Sequence, residues 1–492
     1  MSNNRSYKDT FKNTLAFGGV QILTILISLI RGKAIAMLLG PIGMGINNLF
    51  VSSLNIITTF TELGLELSAV REISGNKDDK EKVSKKIRIT ERLFIFCGVL
   101  GAVITALLSP LLSQWTFGNH NYTYSFVLLS FFVFFTAINK SYQTVLRGLQ
   151  KINMIIKSGI VGSLASLVFS IPFFYFFKEN GIVPSLIVTI VATLISSWFF
   201  RRKIVISKVQ VSIKDIFKDG KEMVQLGIML IIANFLGILT KYLINIYIGK
   251  TGNLADIGFY GAAISIGSQY VGFILASLSA DYFPRLSSVN TDAIQMNKVV
   301  NEQSEVVLLL ATPLLILMMI TAPLMIRILL SKEFLVIESF IRFIAIGSFF
   351  QVSSFCMGYI SFAKNDRKVY LFLEGGLSNI LQLIFSILGY YFFGLKGLAT
   401  AFLLVYFFYF IIITLFTRFK YKYKLDNTTI KILALSCTFV LIVFMIYYFL
   451  DNVTANILSC LIFAVTVLVN YYFLNKRLDL KSAILNKIRK KK

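Results

Sequence analysis

The chain has 492 residues, 56% of them hydrophobic and only 15% charged, with a mean hydropathy of +0.75. A soluble domain carries about a quarter charged residues, so a chain this apolar lacks the polar surface to dissolve in water. Its formal charge of +25 would suggest a nucleic-acid partner in a soluble protein, but the placement of the charges excludes one.

Apolar blocks about twenty residues long, enough to cross a hydrocarbon core of roughly 30 Å, recur along the whole chain. They fall at 13–39, 42–66, 91–115, 123–145, 155–177, 182–200, 223–249, 257–283, 303–326, 338–362, 369–391, 395–416, 430–450 and 455–474. In hydrocarbon the backbone must satisfy its own hydrogen bonds, so each block predicts a helix. The alternating strands of a membrane barrel do not occur. The expected fold class is an all-α polytopic membrane protein of about fourteen transmembrane helices. Polar residues fill 1–12, and no small-residue cleavage site follows the first block, which reads as an uncleaved helix.

Lysine and arginine alternate between the two ends of these blocks. One side, which includes both termini, carries 39 of the 49; the other carries seven, namely Arg31, Lys33, Lys178, Lys250, Arg327, Lys332 and Lys396. Lys140, Lys241 and Arg342 lie inside blocks. Such a split obeys the positive-inside rule and places both termini in the cytoplasm. The basic loops therefore read as a topology signal with attraction to anionic headgroups, without nucleic acid.

An internal repeat appears at an offset near 216. Seven of the thirteen positions in 169–181 are identical to 385–397, and Gly159 matches Gly375. Ile42-Gly43 and Ile257-Gly258 open the second and eighth blocks, which end on Arg71 and Arg285 after nearly the same spacing. Helices 1–6 thus resemble helices 7–12 in order, a parallel repeat about an axis along the membrane normal. The expected division is an N-terminal lobe at 1–222, a C-terminal lobe at 223–425, and helices 13 and 14 with a basic tail at 426–492. Two such lobes would enclose a central cavity opened alternately to either face.

A charge at the bilayer centre costs about 2.5–3.5 kcal/mol on insertion scales, so one kept there marks function by default. Arg31 and Lys33 interrupt helix 1, and Lys241 interrupts helix 7 at almost the same depth. Pairing Gly40 with Gly249 sets Lys241 on Gly32, between the two first-helix cations. No carboxylate lies in either block, so the three cations would suit a pyrophosphate, forked by arginine and met by lysine as a point charge. The bland reading is snorkelling to headgroups. Lys140 and Arg342 are weaker candidates for the same cavity, each close to a membrane face. Glu62 and Glu66, one turn apart, are either interfacial carboxylates or carriers of a coupling ion. Glu374 is a third carboxylate of this kind, with Lys368 as its expected partner. Asp281 with Arg285 reads as an end-of-helix ion pair, and Glu302 and Glu305 as acids favouring the start of helix 9. Pro172, Pro313 and Pro323 lie within spans and should kink them.

Nothing resembles catalysis. Cys97, Cys356, Cys437 and Cys460 are scattered in apolar blocks without metal-ligand spacing, and His120, the single histidine, falls in a loop. No cofactor is expected. The Gly-rich run Gly40-Pro41-Ile42-Gly43-Met44-Gly45 joins two spans and reads as a tight turn.

The stretch from Arg31 through Gly45, with Thr61-Glu62-Leu63-Gly64-Leu65, Ser68-Ala69-Val70 and Ala280-Asp281-Tyr282-Phe283-Pro284-Arg285-Leu286, resembles bacterial O-antigen and capsule flippases of the Wzx type. The resemblance implies the multidrug/oligosaccharidyl-lipid/polysaccharide exporter fold, two six-helix lobes in a V with two added helices. It implies no enzyme, but an inner-membrane flippase that moves a polyprenyl-diphosphate-linked oligosaccharide to the outer leaflet through a cationic cavity. Its expected partners are that lipid-linked oligosaccharide, membrane lipids, a polysaccharide polymerase and a chain-length regulator. A multidrug/cation antiporter or a peptidoglycan-precursor flippase on the same fold is the alternative.

Overall fold

The computed structural model describes residues 26–478 except 63, 76–78, 208, 210 and 212; the side chains of 213–220, 222, 225–230, 233, 273, 274, 276–281, 477 and 478 are also outside it. The polar start, the first half of the first apolar block and the tail from 479 on thus lie outside the described residues, as does the Asp281 half of the expected ion pair.

All described secondary structure is helical. The helices are α1 (26–38), α2 (Gly40–Glu62), α3 (Leu65–Gly75), α4 (Lys80–Leu107), α5 (Ser109–Phe117), α6 (Thr123–Gly148), α7 (Ile152–Phe177), α8 (Ile182–Arg201), α9 (Ile213–Thr251) and α10 (Leu254–Ser288). They continue as α11 (Ala293–Leu329), α12 (Glu338–Ala363), α13 (Arg367–Tyr370), α14 (Ser378–Tyr421), α15 (Asn427–Phe449) and α16 (Asn452–Leu478). Among the described residues, eight helical stretches, three of them compound, are long and apolar enough to cross a bilayer.

Several helices run past their apolar blocks into the basic connections. α9 starts at Ile213 and α11 at Ala293, so Glu302 and Glu305 sit well inside α11 and not in its first turn. Glu305 is buried and accepts from Thr429 Oγ1 at 3.0 Å, which replaces the expected helix-start role. The loop expected between the second and third blocks is largely helical as well. Asp79 caps α4 by accepting from the backbone N–H of Glu81 and Lys82, both at 3.1 Å, and these bonds hold its carboxyl below the ordinary 3.8.

Glycine decides three of the breaks. Gly40, at φ +64°, turns α1 into α2 with Pro41 in the first turn, where its missing N–H costs nothing; the predicted tight turn is present. Gly64, at φ +68°, splits the expected second span into α2 and α3. α14 runs through two predicted blocks and is interrupted at Gly394, with φ +56° and ψ −136°.

By contacts the chain forms two compact units, Met1–Gly258 with Ile328–Glu333, and Phe259–Arg327 with Phe334–Lys492. The first unit holds α9 through a chain of buried hydroxyls. Thr116 Oγ1 lies 2.9 Å from Tyr242 Oη and 3.3 Å from Ser53 Oγ, tying α5 to α9 and α2. Its core packs Phe50 of α2, Phe126 of α6, Phe174 of α7 and Leu186 of α8. Here too α2 meets the first turn of α10. A Cβ on Gly45 would strike the carbonyl of Leu254, and one on Gly258 the carbonyl of Pro41. Each carbonyl lies four residues before the other glycine, so the crossing is reciprocal. In the second unit, Asn301 pins the link into α15, donating to the Lys424 carbonyl at 2.9 Å and accepting from Tyr423 Oη and the Asp426 N–H.

Candidate functional site

Arg31 and Lys33 stand two residues apart on α1. At 100° per residue their side chains leave the helix about 200° apart. Arg31 shares a face with the buried Ile35, whereas Lys33 shares one with Leu26, Ile30 and Met37, which are 49, 53 and 64% exposed. The Arg31 Nε is buried and has no hydrogen-bond partner among the described residues. Between the two cations a Cβ on Gly32 would meet nothing within 4 Å, so α1 has open space there. Lys241 is exposed on α9, next to the Tyr242 that anchors that helix. Neither Arg31, Lys33 nor Lys241 has an ionic partner among the described residues.

The other two expected cavity cations are already neutralised. Lys140 Nζ lies 2.5 Å from Glu62 Oε2, and the Glu62 side chain is only 8% exposed. Two turns along α6, Arg147 pairs with Glu66. Because Gly64 breaks the helix between them, the two acids do not share a helical face as their spacing predicts; each reaches a different cation on α6. The second Glu62 oxygen is buried without a partner among the described residues. Arg342 pairs with Glu338 one turn earlier, and its guanidinium sits 3.8 Å from the centre of the Tyr447 ring. Lys140 and Arg342 thus each have a carboxylate partner.

Glu374 differs again. It lies in a π-helical turn, Leu371–Leu377, where one extra residue per turn widens the helix; such turns recur at functional sites. Its Oε1 accepts from Tyr409 Oη at 2.5 Å and rests over Gly358, where a Cβ would approach to 2.6 Å. Lys368 is not its partner. Arg285 donates to Gln303 Oε1, at 3.0 Å.

Sequence reasoning missed Tyr409, because a tyrosine among many aromatic residues carries no positional signal. It also missed a neutral network in the first unit. Gln143 Nε2 donates to Ser158 Oγ at 3.1 Å and Ser197 Oγ at 2.8 Å, and Ser197 donates to Asn139 Oδ1 at 2.7 Å. The repeat held the clue, since Ser158 stands 216 residues before Glu374. No group of three or more metal-ligating side chains occurs among the described residues, and the four cysteines are free thiols.

Comparison with known proteins identifies the family and the fold. Residues 34–339 match the family described as Polysaccharide biosynthesis protein. A protein of Shigella flexneri named as an O-antigen transporter is 22% identical over 320 residues, 63% of this chain and 75% of the relative. The Lipid III flippase of Escherichia coli (strain K12) is 20% identical over 357 residues, 70% of this chain and 83% of the relative. In fold, the Lipid II flippase MurJ in its inward closed conformation superposes with a TM-score of 0.72 at 14% identity, covering 95% of this chain and 99% of that one. An inward-facing multidrug resistance MATE family transporter of the MOP superfamily gives 0.67 at 15% identity, over 81% and 94%. The chain belongs to the Polysaccharide biosynthesis protein family and is an all-helical, multi-pass membrane protein with the fold of the MOP-superfamily transporters.

Proposed function

We propose that this protein is a flippase that moves polyprenyl-diphosphate-linked oligosaccharide repeat units from the cytoplasmic to the outer leaflet of the bacterial inner membrane, for O-antigen or capsule. The observation that carries the proposal is that Arg31, whose Nε is buried, and Lys241 have no ionic partner among the described residues. A cation kept in a span without a carboxylate is costly; an anionic cargo that arrives and leaves explains why neither has a permanent partner. The names of the two curated relatives support a lipid-linked sugar as that cargo. In this reading both termini are cytoplasmic, the two repeats at 1–222 and 223–425 are the rocking lobes, and 426–492 is an addition.

Replacing Arg31 and Lys241 together with alanine should abolish surface polysaccharide in cells while the protein still inserts. Undiminished polysaccharide would remove the proposed role. Lys33 contributes less, because it leaves α1 on the exposed apolar face. Glu374 and Glu62, acids kept within the helical bundles, are the groups through which an ion gradient would act. They also keep an antiporter open as a second reading, which dye resistance lost on deletion would favour. Rescue of a strain lacking its peptidoglycan-precursor flippase would shift the cargo but not the mechanism.

A further inference from the structure

A basic hollow on the flank of the first unit has no part in the reading above. It lies where the start of α4 meets the end of α8, and it consists of two adjoining spaces of about 200 and 450 Å³ that share Glu91, Ile95 and Arg201 as walls. The connection after α8 closes one side. Arg88 donates to the Ser207 carbonyl at 3.4 Å, Arg92 to the Val211 carbonyl at 2.8 Å, and the Ser207 N–H to Ser84 Oγ at 3.1 Å. Ile204 and Ile206 are buttressed by Ile73, Val83, Ile87 and Val145. The hollow is thus a built feature of the fold.

Its charge is unbalanced. Arg88, Arg92, Arg201 and Arg202 line it against one carboxylate, Glu91, which Arg201 holds at 2.6 Å. The bonds of Arg88 and Arg92 go to neutral carbonyls, and neither arginine has an acidic partner among the described residues. Arg202 packs over the rings of Trp198 and Phe199, at 4.8 and 4.6 Å, with no acidic partner among the described residues. Toward the middle of the helices the lip becomes apolar: Phe96 is 63% and Ile195 58% exposed. A tryptophan beside arginines at the end of an apolar band marks the interface between hydrocarbon and headgroups.

We propose that this hollow binds the phosphate of one anionic phospholipid, phosphatidylglycerol-like, whose acyl chains lie along Ile95, Phe96 and Phe199. A phosphodiester with its glycerol fits the two spaces, whereas a head of several sugars exceeds them. Clustered basic residues at a headgroup-level cleft attract anionic lipid with about 1 kcal/mol for each cation, a factor of roughly five in affinity. The inference rests on α4 and α8 spanning a bilayer and not on what the protein transports.

Native mass spectrometry of the full-length protein, purified in neutral detergent and titrated with phosphatidylglycerol or phosphatidylcholine, tests it. One phosphatidylglycerol should be retained and phosphatidylcholine should not. Arg202→Gln, an exposed change that breaks no ion pair, should weaken retention about five-fold. Arg92→Gln with Arg202→Gln should weaken it about 25-fold, the product of two such factors. The double lysine variant should keep most of it, and Lys396→Gln, far along the sequence in an exposed turn, should change nothing. Wild-type retention in the double glutamine variant, or equal retention of phosphatidylcholine, would overturn the proposal. So would polyprenyl diphosphate displacing the bound lipid more readily than phosphatidylglycerol does, because the hollow would then belong to the cargo.

Discussion

The turn after α7 and the turn inside α14 stand 216 residues apart and have the same backbone. Lys178 sits at φ +48° and ψ −128°, and Gly394 at φ +56° and ψ −136°. Three residues on, a Cβ at Gly181 would strike the carbonyl of Phe173, and one at Gly397 would strike the carbonyl of Gly389, eight residues back in both cases. One helical hairpin has been kept twice because two helices can pass this closely only where a side chain is missing. The chemistry nearby has not been kept. Where the first copy has Ser158 in a neutral network with Gln143, the second has Glu374 in a π-helical turn, bound by Tyr409. Backbone packing resists change in both halves, while polar side chains diverge wherever a partner diverges with them.

The largest effect should come from the shared glycines. Gly181→Ala and Gly397→Ala should each destabilise the purified protein by about 3 kcal/mol, since a backbone carbonyl cannot move aside. Thermal unfolding in detergent would show the loss, and tolerance at one position only would break the equivalence of the two hairpins. Next come the polar groups that differ. Tyr409→Phe leaves a Glu374 oxygen without its donor and should cost about 2–3 kcal/mol, against about 1 kcal/mol for Ser158→Ala in the neutral network. Equal losses in the same assay would deny that the second copy has the more demanding polar site.

A gain is expected at the remaining asymmetry. Lys178 holds a conformation suited to glycine, so Lys178→Gly should stabilise by about 1 kcal/mol, and Gly394→Lys should do the reverse. The smallest effect concerns the end of the second copy, where Asp366 lies 2.8 Å from Lys420. The bond from Lys420 holds the Asp366 carboxyl below its ordinary 3.8. A depressed carboxylate adds stability at neutral pH and gives it up as pH falls through the folded value. Asp366→Asn should therefore cost about 0.5 kcal/mol at pH 7, and the difference from wild type should disappear in strong acid, as melting curves across pH would reveal.

The sequence by itself determined that the chain is a bundle of apolar helices, where most breaks between them fall, and that the stretch 169–181 recurs at 385–397. Hydrocarbon forces both helix and span length on the backbone, and the offset of 216 survives because glycine at 181 and 397 has no substitute. Only the tertiary structure decided which charges in the spans have an ionic partner among the described residues. Arg31, Lys140, Lys241 and Arg342 look alike in a one-dimensional pattern. Lys140 meets Glu62 from α2, and Arg342 meets Glu338 and the Tyr447 ring from α15. Such meetings depend on how helices far apart in sequence lie side by side, and no local spacing encodes them. Gly64 shows the same limit at short range: it let Glu62 and Glu66 reach separate cations, because a single left-handed residue redirects everything after it.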